Sequence, residues 1–382
     1  MSGNVNKLSI LIFSLHGGGL EKSLIRLAVE LNKKSVPIDF VVAKTSDSAY
    51  SVPEELNFVG LDAPKIIYAL FPLIKYLKRS KPKIMFSAGT PLNAIAILAK
   101  LLTGYPKRLI VGERNHLSSI IKHSSRFRDK LRPYFIRFLY PFADLVLAVS
   151  QSVAEDVIAV GRLKKTKVKV IHNLFDVDSI IAQASLPTGV DWIDGREVPF
   201  IISVGRMVPQ KNYDTLLRAF SAVKSQKKCH LVILGDGEQH AALQKLAEEL
   251  EIRNAVYMPG FVKNPYAYIS KAKLFVLSSI WEGLPAVLIE ALACGTPIVS
   301  TNSPGGALEI LENGKYGVLV PPQDPMVLAE SILTQLKTMS EPEKLIKRAR
   351  FFAVDRVLGK YVDAFELVSD AKNCDHLNNR FE

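Results

Sequence analysis

Short apolar runs alternate with segments of helical period along nearly the whole 382-residue chain, and this alternation constrains the fold more than any other feature. Runs such as Leu8 to Phe13 and Leu231 to Leu234 are short and lack the apolar-polar alternation of a strand with one wet face. They read as strands buried on both faces, which requires helices above and below a parallel sheet. The first half offers strand candidates at Leu8–Ser14, Ile38–Ala43, Leu56–Leu61, Lys83–Ser87, Arg108–Gly112, Leu145–Val149 and Lys167–Ile171. The second half repeats the pattern at Pro199–Val204, Leu231–Gly235, Val256–Met258, Leu274–Leu277, Pro297–Ser300 and Gly317–Val320, with helices expected near 213–225, 238–250, 286–293 and 325–338. Between the halves, His172 to Asp176 is turn-like, and Leu186 to Val198 carries Pro187, Gly189, Asp191, Asp194 and Gly195. The expected fold is therefore α/β, with two Rossmann-like domains in tandem, 1–178 and 199–354, joined by a linker over 179–198. A cleft is expected between them, because such sheets bind ligands at the carboxyl ends of their strands.

Composition narrows the class. Hydrophobic residues at 48% and charged residues at 23% exclude a disordered or fibrous chain. Cys229, Cys294 and Cys374 are odd in number and lack metal or redox spacing, which argues against a disulfide scaffold or zinc module and for a reducing, cytosolic location. No run approaches the roughly 18 apolar residues of a membrane-spanning helix, and no secretory leader pattern opens the chain, so a soluble or peripheral protein is expected.

The net charge of +12 is unevenly placed. Residues 65–137 hold 16 basic and only two acidic side chains, whereas residues 181–382 hold 22 and 23. In this window Lys65 to Lys83 interleaves Ile66, Ile67, Leu70, Phe71, Ile74 and Leu77 with Lys75, Lys78 and Arg79, and Lys122 to Phe142 mixes five basic residues from Arg126 to Arg137 with large apolar and aromatic ones. Nucleic acid, an anionic membrane surface and an ordinary solvated face over a core all compete as explanations. No zinc finger, RNA-recognition signature or heptad-linked basic region appears. Basic residues among large apolar ones suit a helix in the lipid headgroup region.

Three motifs carry chemistry. His16-Gly17-Gly18-Gly19 lies between the first strand and first helix, where glycines admit close backbone approach and helix-start amides attract phosphate. The dinucleotide spacing fails there, because Lys22 stands where a third glycine is needed, and fails again at Gly235-Asp236-Gly237, which disfavours an NAD dehydrogenase. Gly205-Arg206-Met207-Val208-Pro209-Gln210-Lys211 follows the first strand of the second half, placing two cations where they can converge on an anion. Trp281-Glu282-Gly283-Leu284-Pro285 then leads to Glu290, with Pro285 suiting a first helical turn and the amides of Gly283 and Leu284 facing a pyrophosphate position. Glu290 is an acidic residue on an otherwise apolar helix, and sugar hydroxyls are suitable partners for it.

In order along the chain, Gly17-Gly18, Gly205-Arg206 with Lys211, Gly235-Asp236-Gly237, Gly260-Phe261 and Glu282 with Glu290 resemble the retaining nucleotide-sugar glycosyltransferases of the GT-B fold, glycosyltransferase family four, which carry an E-x7-E motif. Within that family the chain looks most like bacterial enzymes of polysaccharide, lipopolysaccharide or lipid-linked oligosaccharide synthesis. The resemblance implies that Glu290 binds the donor ribose and Glu282 the transferred sugar. Arg206 and Lys211, with the Gly283 and Leu284 amides, would bind the diphosphate. Val262 would border the base, and Gly17 and Gly18 would approach the donor phosphate or the acceptor. His116, in Glu113-Arg114-Asn115-His116, resembles the family's active-site histidine, so that His116, Glu282, Arg206 and Lys211 form the expected catalytic set.

Asn173-Leu174-Phe175-Asp176 lacks the proline that many relatives carry in this loop, and a helix over 355–372 is expected to cross back onto the first domain. No Asp-x-Asp triplet lies in a loop of the expected cleft, so no metal or other cofactor is expected. The resulting expectation is a cytoplasmic enzyme, peripheral on the inner face of the cell membrane. It would move a hexose or N-acetylhexosamine from a nucleotide diphosphate, UDP foremost, to a lipid-linked saccharide, with residues 65–137 on the anionic membrane and no nucleic acid bound. An epimerase of the same fold and a basic nucleic-acid-binding protein are the alternatives.

Overall fold

A computed structural model of the protein describes residues 7–15, 18–46, 51–124, 127–195 and 198–367. Two parallel sheets organise it. The first runs β3-β2-β1-β4-β5-β6-β7, from β1 (Leu8–Ile12), β2 (Ile38–Val42), β3 (Asn57–Gly60), β4 (Ile84–Ala88), β5 (Arg108–Glu113), β6 (Leu145–Ala148) and β7 (Val168–Val170). The second runs β10-β9-β8-β11-β12-β13, from β8 (Phe200–Val204), β9 (His230–Leu234), β10 (Val256–Gly260), β11 (Leu274–Leu277), β12 (Ile298–Thr301) and β13 (Val318–Val320). All thirteen expected strands are present, each end within two residues of its expected place. In both sheets the order reverses beside the first strand, at β1/β4 and at β8/β11. Connections leaving the carboxyl ends diverge there and leave room for a ligand.

The double-sided burial read from composition is visible in β11. Phe275 and Leu277 enter one core cluster with Leu288 and Ile289, while Leu274 and Val276 enter another with Leu216 and Phe220. By contacts the chain divides into two compact units. One holds the described residues of Met1–Gly112 and Val357–Glu382 with Pro141–Leu145; the other holds Glu113–Tyr140 and those of Val146–Arg356.

The segment expected as a linker has structure of its own. Asp194 accepts from the amides of Thr188 and Gly189, and Trp192 packs edge-on against Phe200 and Tyr257. Near the end of the described chain, the helix Val354–Phe365 sets Tyr361 and Phe365 against Phe86, with ring centroids 6.3 and 5.4 Å away. Residues 368–372 of the expected helix lie outside the described residues.

The basic run Lys122 to Phe142 is not one continuous helix. It is divided among the end of a helix at Leu117–His123, a turn at Phe127–Lys130, a helix at Arg132–Leu139 and a 3-10 turn at Tyr140–Phe142. Pro133 suits only a first helical turn, which forces a new start there. Ile136 and Tyr140 are buried while Tyr134, Phe135 and Phe138 are exposed. In the other run, a 3-10 turn at Ile66–Ala69 and a helix at Leu70–Ser80 bury Leu73 and Leu77 but expose Ile67, Tyr68 and Phe71. Among the described residues no helix is long and apolar enough to cross a membrane.

The helix Leu70–Ser80 is pinned to the sheet through Asp39, buried on β2. Its carboxylate accepts from Tyr76 at 2.5 Å and Asn57 at 2.7 Å and pairs with Lys7 at 2.7 Å. Burial pushes the Asp39 carboxyl up, but the Lys7, Tyr76 and Asn57 hydrogen bonds outweigh it and hold it below its ordinary 3.8. Because the folded state favours the ionised form, the associated stability is present above the ordinary carboxylate range and lost as pH falls through the lowered value. Asp39→Asn is expected to cost about 2 kcal/mol at pH 7. In urea unfolding the difference from the parent protein should shrink as pH falls through the lowered Asp39 value.

Candidate active site

The second reversal, β8/β11, gathers the candidate residues. Beyond β8 the chain turns through Gly205 and Arg206 to a 3-10 turn at Pro209–Lys211. Beyond β11 it runs through Ser278 and Ser279 to Glu282. The two loops are laced together, the Ile280 amide donating to the Gln210 carbonyl at 2.8 Å and Ser278 Oγ to the Lys211 carbonyl at 2.7 Å. Gly235, just past β9, lets a third loop approach the first of these: its φ is +128°, and a Cβ there would stand 2.1 Å from the Gly205 carbonyl oxygen.

Lys211 and Glu282 meet directly, Nζ donating to Oε1 at 2.6 Å, and Ser279 Oγ donates to the same oxygen at 2.7 Å. Both charged side chains are largely buried, 15% and 9% exposed, so each depends on the other for compensation. Ser279 carried no motif of its own; the signal that could have found it is a small hydroxyl residue just past the carboxyl end of a switch-point strand.

Immediately after Glu282, the amides of Gly283 and Leu284 donate to nothing among the described residues, although both residues are buried. The Gly283 carbonyl, in contrast, accepts from Ser150 Oγ at 3.0 Å and the Gly306 amide at 2.8 Å, which fixes the peptide's orientation. Unpaired donors of buried residues just before the helix Ala286–Ala293 suit an anion. Arg206 is exposed and makes no ion pair among the described residues, so its guanidinium is available to the same anion.

Glu290 lies half-buried on that helix and accepts from Tyr266 OH at 3.3 Å. Tyr266 was not anticipated. Burial, with the Glu290 carboxylate adding to it, pushes the Cys294 thiol up to about 12, which keeps it protonated and unsuited to nucleophilic attack. Val262 is half-buried and packs on the apolar cluster below the helix, beside an exposed Phe261.

Two contacts bring the segment after β5 to this loop. A Cβ on Gly283 would stand 1.8 Å from the Arg114 carbonyl oxygen, so the two backbones lie in close contact. His123, ending the helix that His116 begins, stacks on Trp281 at 5.0 Å and 12°. His116 itself caps that helix: Nδ1 lies 3.0 Å from Ser119 Oγ and 3.7 Å from Asp156, and Asp156 takes the Leu117 and Ser118 amides. Nε2 of His116 has no partner among the described residues. The Gly-rich loop belongs to the other compact unit, where Gly18 is the N-cap of the helix Gly19–Asn32. Gly17 lies outside the described residues.

Two family models match the chain, one described as glycosyl transferases group 1 over residues 194–351 and one as Glycosyltransferase Family 4 over residues 17–179. The chain is 30% identical over 377 residues, 96% of its length and 98% of the relative's, to the N-acetylgalactosamine-N,N'-diacetylbacillosaminyl-diphospho-undecaprenol 4-alpha-N-acetylgalactosaminyltransferase of Campylobacter jejuni. A second protein of that organism, a GalNAc-alpha-(1->4)-GalNAc-alpha-(1->3)-diNAcBac-PP-undecaprenol alpha-1,4-N-acetyl-D-galactosaminyltransferase, is 25% identical over 96% of this chain and 99% of its own. Among solved structures, Anabaena HepE in complex with UDP-glucose superposes with a TM-score of 0.77 at 19% identity, covering 95% of this chain and 100% of that one, a likeness of fold.

Proposed function

The chain belongs to the group 1 and family 4 glycosyltransferases, and on that footing we propose that it is a retaining enzyme of bacterial surface-glycan synthesis that transfers a hexose or N-acetylhexosamine from a UDP-sugar to a lipid-linked saccharide. Residues 199–354 bind the donor and residues 1–178 receive the acceptor. The observation that carries this reading is the pair of unpaired Gly283 and Leu284 amides beside Lys211. Breaking the bond between sugar and diphosphate puts negative charge on the departing oxygen, and fixed donors shielded from water stabilise that charge. Lys211 spends one hydrogen on Glu282 and keeps two for phosphate, and Arg206 closes on the diphosphate from solvent. Glu282 and Glu290 take the hydroxyls of the transferred sugar and the ribose, and Val262 borders the base. His116 Nε2 faces the reacting sugar. The departing phosphate itself helps to take the acceptor proton during front-face attack, and the chemistry uses no metal.

Two of the relatives named above act on undecaprenol-diphosphate saccharides by their names, and HepE was solved with UDP-glucose. Exposed Ile67, Tyr68 and Phe71 beside Lys75, Lys78 and Arg79 suit the headgroup layer of an anionic membrane, on whose cytoplasmic face the protein sits peripherally.

Two measurements test this. In EDTA-containing buffer, Arg206→Ala is expected to lower transfer from UDP-sugars about 10- to 100-fold, the worth of one hydrogen bond to a charged group, and Glu290→Ala to raise the donor KM; unchanged transfer in both folded variants refutes the donor assignment. An epimerase would convert the donor without any acceptor. Cosedimentation with anionic liposomes should be reversed by salt, and binding that ignores lipid charge refutes the membrane assignment.

A further inference from the structure

The first sheet has its own reversal, β1/β4, and the donor chemistry does not use it. A cavity of about 220 Å³ opens there, beyond the carboxyl ends of the two strands, with Ile12, Phe13, Ile66 and Leu92 in its walls and Ser14 and Glu21 as its polar groups. Ser14 is 7% exposed, and its hydroxyl has no partner among the described residues. The Glu21 carboxylate likewise makes no hydrogen bond or ion pair among them. Glu21 folds back over the start of its helix, one oxygen lying 2.6 Å from where a Cβ on Gly18 would stand. A carboxylate in this position opposes a second anion, so of the two ligands expected at Gly18, a donor phosphate or the acceptor, the cavity favours the acceptor.

The chemistry of the lining narrows the ligand. A carboxylate can only accept, and a serine hydroxyl can donate to a carbonyl. The remaining wall is apolar and favours a methyl group over a hydroxyl. One neutral group matches all three: an acetamido substituent, whose N–H reaches Glu21, whose carbonyl takes the Ser14 proton and whose methyl sits against Ile12 and Ile66. Resting on the glycosyltransferase reading above, we propose that this cavity is a subsite for an acetamido-bearing acceptor sugar, with Glu21 and Ser14 as its specificity-determining residues. Ile66 opens the same 3-10 turn that exposes Ile67 and Tyr68, with Phe71 just beyond, so an acceptor held at a lipid surface enters the cavity beside the patch proposed to rest on that surface.

The test uses the full chain and three probes: the methyl α-glycosides of N-acetylglucosamine, glucosamine and glucose. Saturation-transfer NMR titrations should give a Kd at least tenfold lower for the acetamido glycoside than for the glucoside, with its acetyl methyl protons the most strongly saturated. Glu21→Gln should weaken that binding about fivefold, and Ile66→Trp, which fills the cavity, should abolish it. The melting midpoint with and without UDP is measured alongside in all three proteins. A UDP shift preserved throughout, with the glucoside or the free amine bound as tightly as the acetamido sugar, overturns the subsite and leaves the donor reading standing. Acetamido binding unaffected by both substitutions also overturns it. Absence of any UDP shift in the parent protein overturns the donor reading and this inference with it.

Discussion

Lys211→Met is expected to cost about 3–5 kcal/mol of stability, because it leaves the Glu282 carboxylate uncompensated in a site only 9% exposed. Ser279 still donates to Glu282 at 2.7 Å, which places the loss toward the lower end of that range. The chemical effect should be of similar size. The substitution removes a cation from the place where charge develops, and the loss of one such preorganised donor costs about 100- to 1,000-fold in rate. Lys211→Met with Glu282→Leu separates the two roles: replacing both members of a buried pair by apolar side chains should recover most of the stability in urea titrations. Transfer should stay abolished. A double variant that regains activity would show that the pair serves folding alone.

Gly283→Ala is the second large effect, and it works through backbone geometry. The added Cβ would meet the Arg114 carbonyl oxygen at 1.8 Å and its carbon at 2.6 Å, and neither belongs to a side chain that could swing away. Relief requires the two backbones to part, which displaces the Gly283 and Leu284 amides and the segment leading to His116 together. Overpacking of this kind costs about 1–3 kcal/mol. A misplacement of roughly 1 Å in a catalytic arrangement costs on the order of 100-fold in rate. The measurement is UDP release and sugar transfer by the purified variant beside its melting midpoint. Full transfer in a folded protein would remove this contact from the proposed site.

These two residues mark where the sequence was legible and where it stopped being so. Glu282, Gly283 and Lys211 stand in motifs whose spacing relative to a strand end carries meaning, because a loop after a parallel strand has few places to go. The strands themselves were legible for a related reason: β-runs covered on both faces must be short and apolar, and each is punctuated by glycine, proline or a helix start. Partners were not legible. Arg114 and Gly283 are 169 positions apart in the chain, and nothing local to either says that their backbones touch. Ser279 and Tyr266 are ordinary in composition and gain meaning only when folding sets them beside Glu282 and Glu290. The internal breaks of the basic run from Lys122 were less legible, since its average character is helical while Pro133 imposes a fresh start. The segment 179–198 looked like a spacer because turn residues dominate it, yet Asp194 gathers those turns and Trp192 anchors them.

The helix Val354–Phe365 carries a consequence for how the protein is made. Phe86 sits in β4 of the first sheet, but Tyr361 and Phe365, which pack against it, leave the ribosome 275 and 279 residues later. Arg108 shares the delay, reaching the Ala364 carbonyl at 3.2 Å across a separation of 256 residues. During synthesis the first unit therefore waits, its apolar ring uncovered, while the whole second sheet is being added. The order of emergence from the ribosome is not the order in which the cores can close, because a helix made after the second sheet completes the core of the first.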